Sequence, residues 1–146
     1  MTAVRRGAGF LWEGVDVLEY KAFDEAYRDV TRQVLFGAAQ GLPWELRYFE
    51  VAAGGHTTLE RHAHPHAVVV VRGRGRVLVH PEIRTVTPHD LVHVPPMTWH
   101  QFQATRDEPL GFLCLVGIER DRPIRPTEED LGALRADPKV AEFVRL

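Results

Sequence analysis

At 146 residues and 45% hydrophobic content, the chain is of single-domain size and can fill one core. Its net charge of -2, with Lys and Arg scattered along the chain, offers no electrostatic footprint for nucleic acid or an anionic membrane, so a small molecule or another protein is the expected partner. No apolar run approaches the roughly 20 residues of a membrane span, no apolar signal core follows residues 1–6, and Cys114 is the single cysteine; together these set the expectation of a cytoplasmic protein without an internal disulfide.

Residues 1–20 read as an N-terminal arm, residues 21–120 as the body of the domain, and residues 121–146 as a Pro-rich linker with a short helical end. Within residues 27–36, Val30, Thr31, Val34 and Leu35 favour a strand, although Asp24-Glu25-Ala26 just before them could start a helical turn. Alternating residues 46–51 form the next predicted strand, closed by a turn at Ala53-Gly54-Gly55. Residues 68–72 and 76–80 flank Gly73-Arg74-Gly75, which reads as a hairpin. Strands over 83–86, 91–94, 101–104 and 110–116 follow. Many short strands without intervening helices predict an all-β barrel or sandwich. The Pro-rich stretch 122–126 ends it. Thr127 then reads as an N-cap, with Glu128, Glu129 and Asp130 in the first turn of a helix running to about Ala136. Asp137-Pro138 starts a further turn that returns Phe143 and Val144 to the barrel.

The chemistry concentrates in Glu60-Arg61-His62-Ala63-His64-Pro65-His66, where every even position is a metal-ligand type. Side chains two residues apart on an extended segment face the same way, so Glu60 and His62 share a face and His66 rejoins it after Pro65. His100 stands in a second, Pro-flanked segment downstream. Imidazoles and a carboxylate, drawn from Glu60, His62, His64, His66 and His100, suit one divalent transition metal among Mn, Fe, Co, Ni and Zn.

These segments resemble the two motifs of the cupin superfamily. Gly54 and Gly73 hold the outer glycines of the first motif at the family spacing, which places Glu60 and His62 at its two paired histidine positions and His66 at its glutamate position. In the second motif Pro95 and His100 match, whereas His89, Met97 and Ala104 replace two glycines and an asparagine. The resemblance implies a single-domain cupin, a double-stranded β-helix or jelly-roll barrel with a short C-terminal helical segment. It also implies Glu60, His62, His66 and His100 as metal ligands, manganese foremost among the candidate ions, and a homodimer that exchanges an N-terminal strand before about Tyr20. If Glu60 instead only orients a histidine, His64 is the reserve ligand; otherwise His64 sits in the turn near the cavity mouth.

Among the remaining candidates, Cys114 in a late strand is either a small buried hydrophobe or a catalytic nucleophile, and His93 within a strand is a candidate acid or base facing the cavity. Trp99, Phe102, Met97 and Phe112 would supply apolar walls, and Arg47 or Arg61 a phosphate contact; His56, His80 and His89 fall in turn-like contexts that suggest solvation. Strings at residues 29–36, 45–51 and 109–115 further resemble the bacterial cupins that act on 1-methylthioxylulose 5-phosphate. That likeness implies removal of methanethiol from a sugar phosphate, with a thiol as reductant and 1-deoxyxylulose 5-phosphate as product. In such a reaction a thiolate, from Cys114 or from outside, attacks the methylthio sulfur, and His93 or His64 returns a proton to carbon. An Fe(II)-dependent dioxygenase and a non-catalytic cupin that binds a small ligand are the alternatives.

Overall fold

In a computed structural model, residues 3–21 and 26–146 are described. Asp24 and Glu25 of the expected helical turn lie outside them. The arm carries a two-strand ribbon, β1 (Gly7–Ala8) with β2 (Leu11–Trp12), and then β3 (Leu18–Glu19), which pairs with β4 (Arg28–Phe36). Phe10 and Trp12 lay their rings against Tyr48 at 5.3 and 5.4 Å, and Gln33 Nε2 donates to the Phe10 carbonyl at 2.9 Å, so this part of the arm covers the outside of its own barrel.

The main sheet continues through β5 (Trp44–His56), β6 (His66–Gly73), β7 (Gly75–Val79), β8 (Glu82–Val86), β9 (Leu91–Val94), β10 (His100–Ala104) and β11 (Leu110–Gly117). All pairings are antiparallel, in the order β8-β7-β10-β5-β11-β6-β9, and the sheet curls into the expected β-barrel. The period-2 patterns are realised: Leu110, Phe112, Cys114 and Val116 of β11 point inward beside Val68 and Val70 of β6 and Phe49 and Val51 of β5.

Strand β5 joins the two arms of the sheet. Its first half pairs with β11, and His56 at its end pairs with Gln103 of β10. The expected turn at residues 53–55 is therefore a bend inside one long strand. Gly54 there has φ 76°, and a Cβ on Gly55 would lie 2.5 Å from the Arg28 carbonyl oxygen.

The hairpin expected at Gly73-Arg74-Gly75 does not form. β6 lies between β11 and β9, whereas β7 lies between β10 and β8, so the segment is a corner that carries the chain from one arm of the sheet to the other. Gly73 has φ 72°, and a Cβ there would fall 1.6 Å from the Pro109 carbonyl oxygen, which accepts instead from the Arg74 amide at 3.1 Å. Gly73 is required by this close crossing, and Gly75 by the Gln103 carbonyl oxygen, 2.3 Å from where its Cβ would lie.

At the C-terminus, Thr127 caps α1 (Glu128–Leu134): its Oγ1 accepts from the Asp130 amide at 3.1 Å, and the Asp130 carboxylate accepts from the Thr127 amide at 2.9 Å. Asp137 caps α2 (Pro138–Phe143). Leu131, Leu134, Val140, Phe143 and Val144 pack with Leu59, Leu78 and Trp99 in a second core on the barrel's outer side. Gln103 Nε2 donates to the Phe143 carbonyl at 2.6 Å and Gln101 Nε2 to the Arg145 carbonyl at 2.7 Å, fixing the end of α2 on β10. Among the described residues no helix is long and apolar enough to cross a membrane.

The corner gives a direct test. Gly73→Ala meets both a left-handed backbone and a carbonyl contact, so it should lower unfolding free energy by at least about 2 kcal/mol in a denaturant titration. Gly132→Ala in α1, where nothing lies within 4 Å of the added Cβ, should be neutral or mildly stabilising in the same assay.

Candidate metal centre

Two backbone hydrogen bonds bring the site together: the Glu60 amide donates to the His100 carbonyl at 3.3 Å, and the His100 amide donates to the Glu60 carbonyl at 3.0 Å. This bridge pins the segment that carries His62 and His66 to the start of β10. The nearby Met97 amide donates to the His62 carbonyl at 2.7 Å and ties the second motif's loop to the first. One ring nitrogen from each of His62, His66 and His100 then lies within 4.8 Å of the others.

The tautomers follow from the partners. A carbonyl can only accept, so His62 Nδ1–H donates to the His64 carbonyl at 2.6 Å and His100 Nδ1–H to the Thr98 carbonyl at 2.9 Å. Each ring is left with its lone pair on Nε2. His62 Nε2 is buried and has no hydrogen-bond partner, an orphaned acceptor in a cluster of acceptors. Burial, and next the neighbouring His100, push the His62 imidazolium down to about 4. Burial likewise lowers His66 and His100, and for His66 the next cause is again His100. Neutral imidazoles with converging lone pairs fit a divalent ion, whose bonds to nitrogen run to about 2.1 Å.

Glu60 lies in the same cavity, buried, with its Oε2 engaged by the Lys21 ammonium and by Thr58 Oγ1, the latter at 2.7 Å. Lys21 Nζ also donates to Thr58 Oγ1 at 3.1 Å, and the Tyr20 hydroxyl is 3.3 Å from the same oxygen. Burial, and next the Glu60 charge, hold the Tyr20 phenol protonated. Burial lowers Lys21, and the adjacent Glu60 opposes that shift.

His64 lines the cavity, its ring stacked on His62 at 3.7 Å and 5°. His64 Nδ1 is 2.7 Å from Asp121 Oδ1, and the Asp121 carboxylate also accepts from the Ala63 and His64 amides at 2.7 and 3.0 Å. The Ala63 amide, next the His64 side chain, and then the His64 amide hold the Asp121 carboxyl well below the usual carboxylate range. His64 Nε2 is left 3.3 Å from His66 Nε2.

The cavity has a volume of about 150 Å³. Phe49, Phe102 and Phe112 make its apolar wall, with Phe112 stacked on the other two at centroid distances of 5.4 and 4.3 Å. Cys114 lines it at 1% exposure, with Arg47 Nη2 at 3.7 Å from its sulfur. His93 does not reach it. In β9 the inward positions are Val92 and Val94, so His93 points outward and is exposed beside a separate groove. Arg61 is also outside the cavity, with its guanidinium over the Trp99 ring at 4.5 Å. Trp99 belongs to the second core and Met97 is exposed, leaving Phe102 and Phe112 as cavity walls from the expected set. Sequence reasoning missed Tyr20, Lys21, Thr58 and Asp121 altogether. Asp121 carried no signal beyond a short run of charges, and Lys21 none at all.

Residues 47–116 match the cupin domain family. The chain is 55% identical over 136 residues to a 1-methylthio-D-xylulose 5-phosphate methylsulfurylase from Rhodospirillum rubrum, covering 92% of this chain and 86% of that protein. Its fold is similar to that of a cupin 2 conserved barrel domain protein from Rhodopseudomonas palustris, at TM-score 0.93 and 50% identity over 99% of this chain and all of that one. A cupin 2 domain-containing protein from Halorhodospira halophila matches at TM-score 0.76 and 44% identity, over 97% of this chain and 94% of that one. The chain belongs to the cupin superfamily.

The buried imidazoles make stability depend on pH. The unfolded chain binds a proton at His62 below about 6.5, whereas the folded chain binds it only below about 4. Between these values the unfolded state holds more protons, so stability is full above the window and falls on acidification through it. The urea midpoint of the ion-free protein should therefore fall between pH 7 and pH 5, and His62→Leu should flatten that dependence.

Proposed function

We propose that this cupin is a metal-dependent enzyme that removes the methylthio group from 1-methylthioxylulose 5-phosphate. The observation that carries this reading is one cavity holding both a three-histidine cluster and the chain's single cysteine. The name of the Rhodospirillum rubrum relative supports the substrate.

In this reading His62, His66 and His100 hold the ion, with Glu60 as the carboxylate that joins them and manganese as the favoured metal. A divalent ion there would supply a Lewis acid for the substrate's carbonyl. The phenylalanine wall shelters the methylthio end from water. Cys114 Sγ forms a bond to the methylthio sulfur as the bond from that sulfur to C1 breaks. The electron pair passes to C1 and into the adjacent carbonyl, and C1 then takes up a proton. Of His93 and His64, only His64 lies at the cavity, and Asp121 holds it there. An external thiol exchanges with the mixed disulfide and releases methanethiol; a second thiol restores Cys114. The net change reduces C1 and oxidises two thiols to a disulfide.

The experiment is methanethiol release from the sugar phosphate with added thiol. Cys114→Ala should lower the rate by at least about 10³-fold. A rate kept at the wild-type level would remove Cys114 from the reaction and leave the external thiol as nucleophile. His62→Ala should lose both the bound ion, by elemental analysis, and methanethiol release; a variant retaining both would show that the histidine cluster is not the site.

A further inference from the structure

Cys114 sits in a corner of buried charges. Directly across the strand pair lies Arg47, and the inward residues beyond them toward the strand ends are Glu45 and Val116. Glu45 Oε1 stands between two guanidiniums, 3.7 Å from Arg47 Nε and 3.9 Å from Arg120 Nη2. The side chains of Arg47, Glu45 and Arg120 are 11%, 19% and 27% exposed. Neither Glu45 Oε1 nor Arg47 Nε completes a hydrogen bond among the described residues. Two cations therefore share one carboxylate in a largely dry place, and the corner holds one uncompensated positive charge. Arg47 Nη2 meets the Cys114 sulfur at 3.7 Å.

We propose that Arg47 is a positioning residue that stabilises Cys114 as a thiolate, a second negative charge set against the guanidiniums of Arg47 and Arg120. A guanidinium bonds a thiolate far more strongly than a neutral thiol, whose sulfur is only a weak acceptor. Burial is the largest influence on the sulfur and keeps the thiol above its ordinary range, and the nearby guanidiniums act against it. Arg47 and then Arg120 pull it down, and Glu45 opposes them. On β6 the cross-strand partner of Cys114 is the apolar Val68, with His66 two residues along in the same cavity, and Tyr20 is a protonated phenol. Arg32 is close enough to act on Arg120 and adds a further positive charge behind it. The inference rests on the proposed role of Cys114 in sulfur chemistry, and it specifies how this barrel makes a buried thiol nucleophilic.

Because Cys114 is the chain's single cysteine, absorbance near 240 nm reports its ionisation alone once the Cys114→Ala protein is subtracted. The pH titration is run on the full chain as purified. Arg47→Gln should raise the midpoint by about one pH unit, a roughly tenfold loss of thiolate at pH values below the midpoint, and Arg47→Lys should recover most of it. Arg120→Gln should raise the midpoint less, and Glu45→Gln should lower it. Opposite signs for Arg and Glu variants are an electrostatic signature that loosened packing does not produce. Midpoints that coincide in wild type, Arg120→Gln and Glu45→Gln overturn the assignment, even if Arg47→Gln fails to fold. If methanethiol is released while the midpoints coincide, the Arg47 assignment alone falls. If the sign pattern appears but the wild type releases no methanethiol, the proposed reaction falls and the Arg47 assignment stands.

Discussion

The site depends on the reciprocal backbone pair between Glu60 and His100. These residues are far apart in sequence, and their two amide-to-carbonyl bonds at 3.3 and 3.0 Å set the position of His100 relative to His62 and His66. The pair can form because β5 bends at Gly54 and Gly55, so that the chain leaving its end runs along β10. The β10 strand is in turn held by β7 across its full length and by α2 through Gln101 and Gln103. The second core beneath α1 and α2 therefore stabilises the histidine site from behind without contributing a ligand.

Burial acts on the cavity's groups in opposite directions. It strips protons from His62, His66 and His100, which readies them as metal ligands, and it holds protons on Tyr20 and Cys114. A reactive sulfur therefore needs a local positive charge to offset its desolvation. Arg47 is placed to give it, cross-strand from Cys114, while Lys21 is committed to Glu60 on another side of the cavity. The site is thus divided into an ion-pairing side around Glu60, a neutral imidazole cluster, and a cationic corner around the sulfur.

Much of the fold was legible because its strands are amphipathic on a two-residue period. The residues with inward burial in β6, β9 and β11 are those that alternation selects. Both C-terminal helices were marked by their caps, Thr127 and Asp137. Glycine was the ambiguous signal: Gly73 and Gly75 satisfy a hairpin and a sheet corner equally well in sequence, and the close passage of Pro109 at Gly73 and of Gln103 at Gly75 separates the two. For the site, His62, His66 and His100 were readable from motif spacing, because that spacing encodes a fixed local geometry. His93 was misplaced because strand membership alone does not give the face, and its neighbours Val92 and Val94 decide it. Lys21 and Asp121 were invisible for a different reason: each reaches its partner across the fold, to Glu60 and to His64, with no local pattern to announce it.

The central claim is that the three neutral imidazoles form one metal site. The most direct measurement is elemental analysis of the purified wild-type chain, followed by chelation and reloading with Mn(II) under equilibrium dialysis. A single first-row ion per chain, removed by chelator and restored on reloading, is the predicted result. A chain that carries no ion, takes up none on reloading, and still releases methanethiol from the sugar phosphate would contradict it.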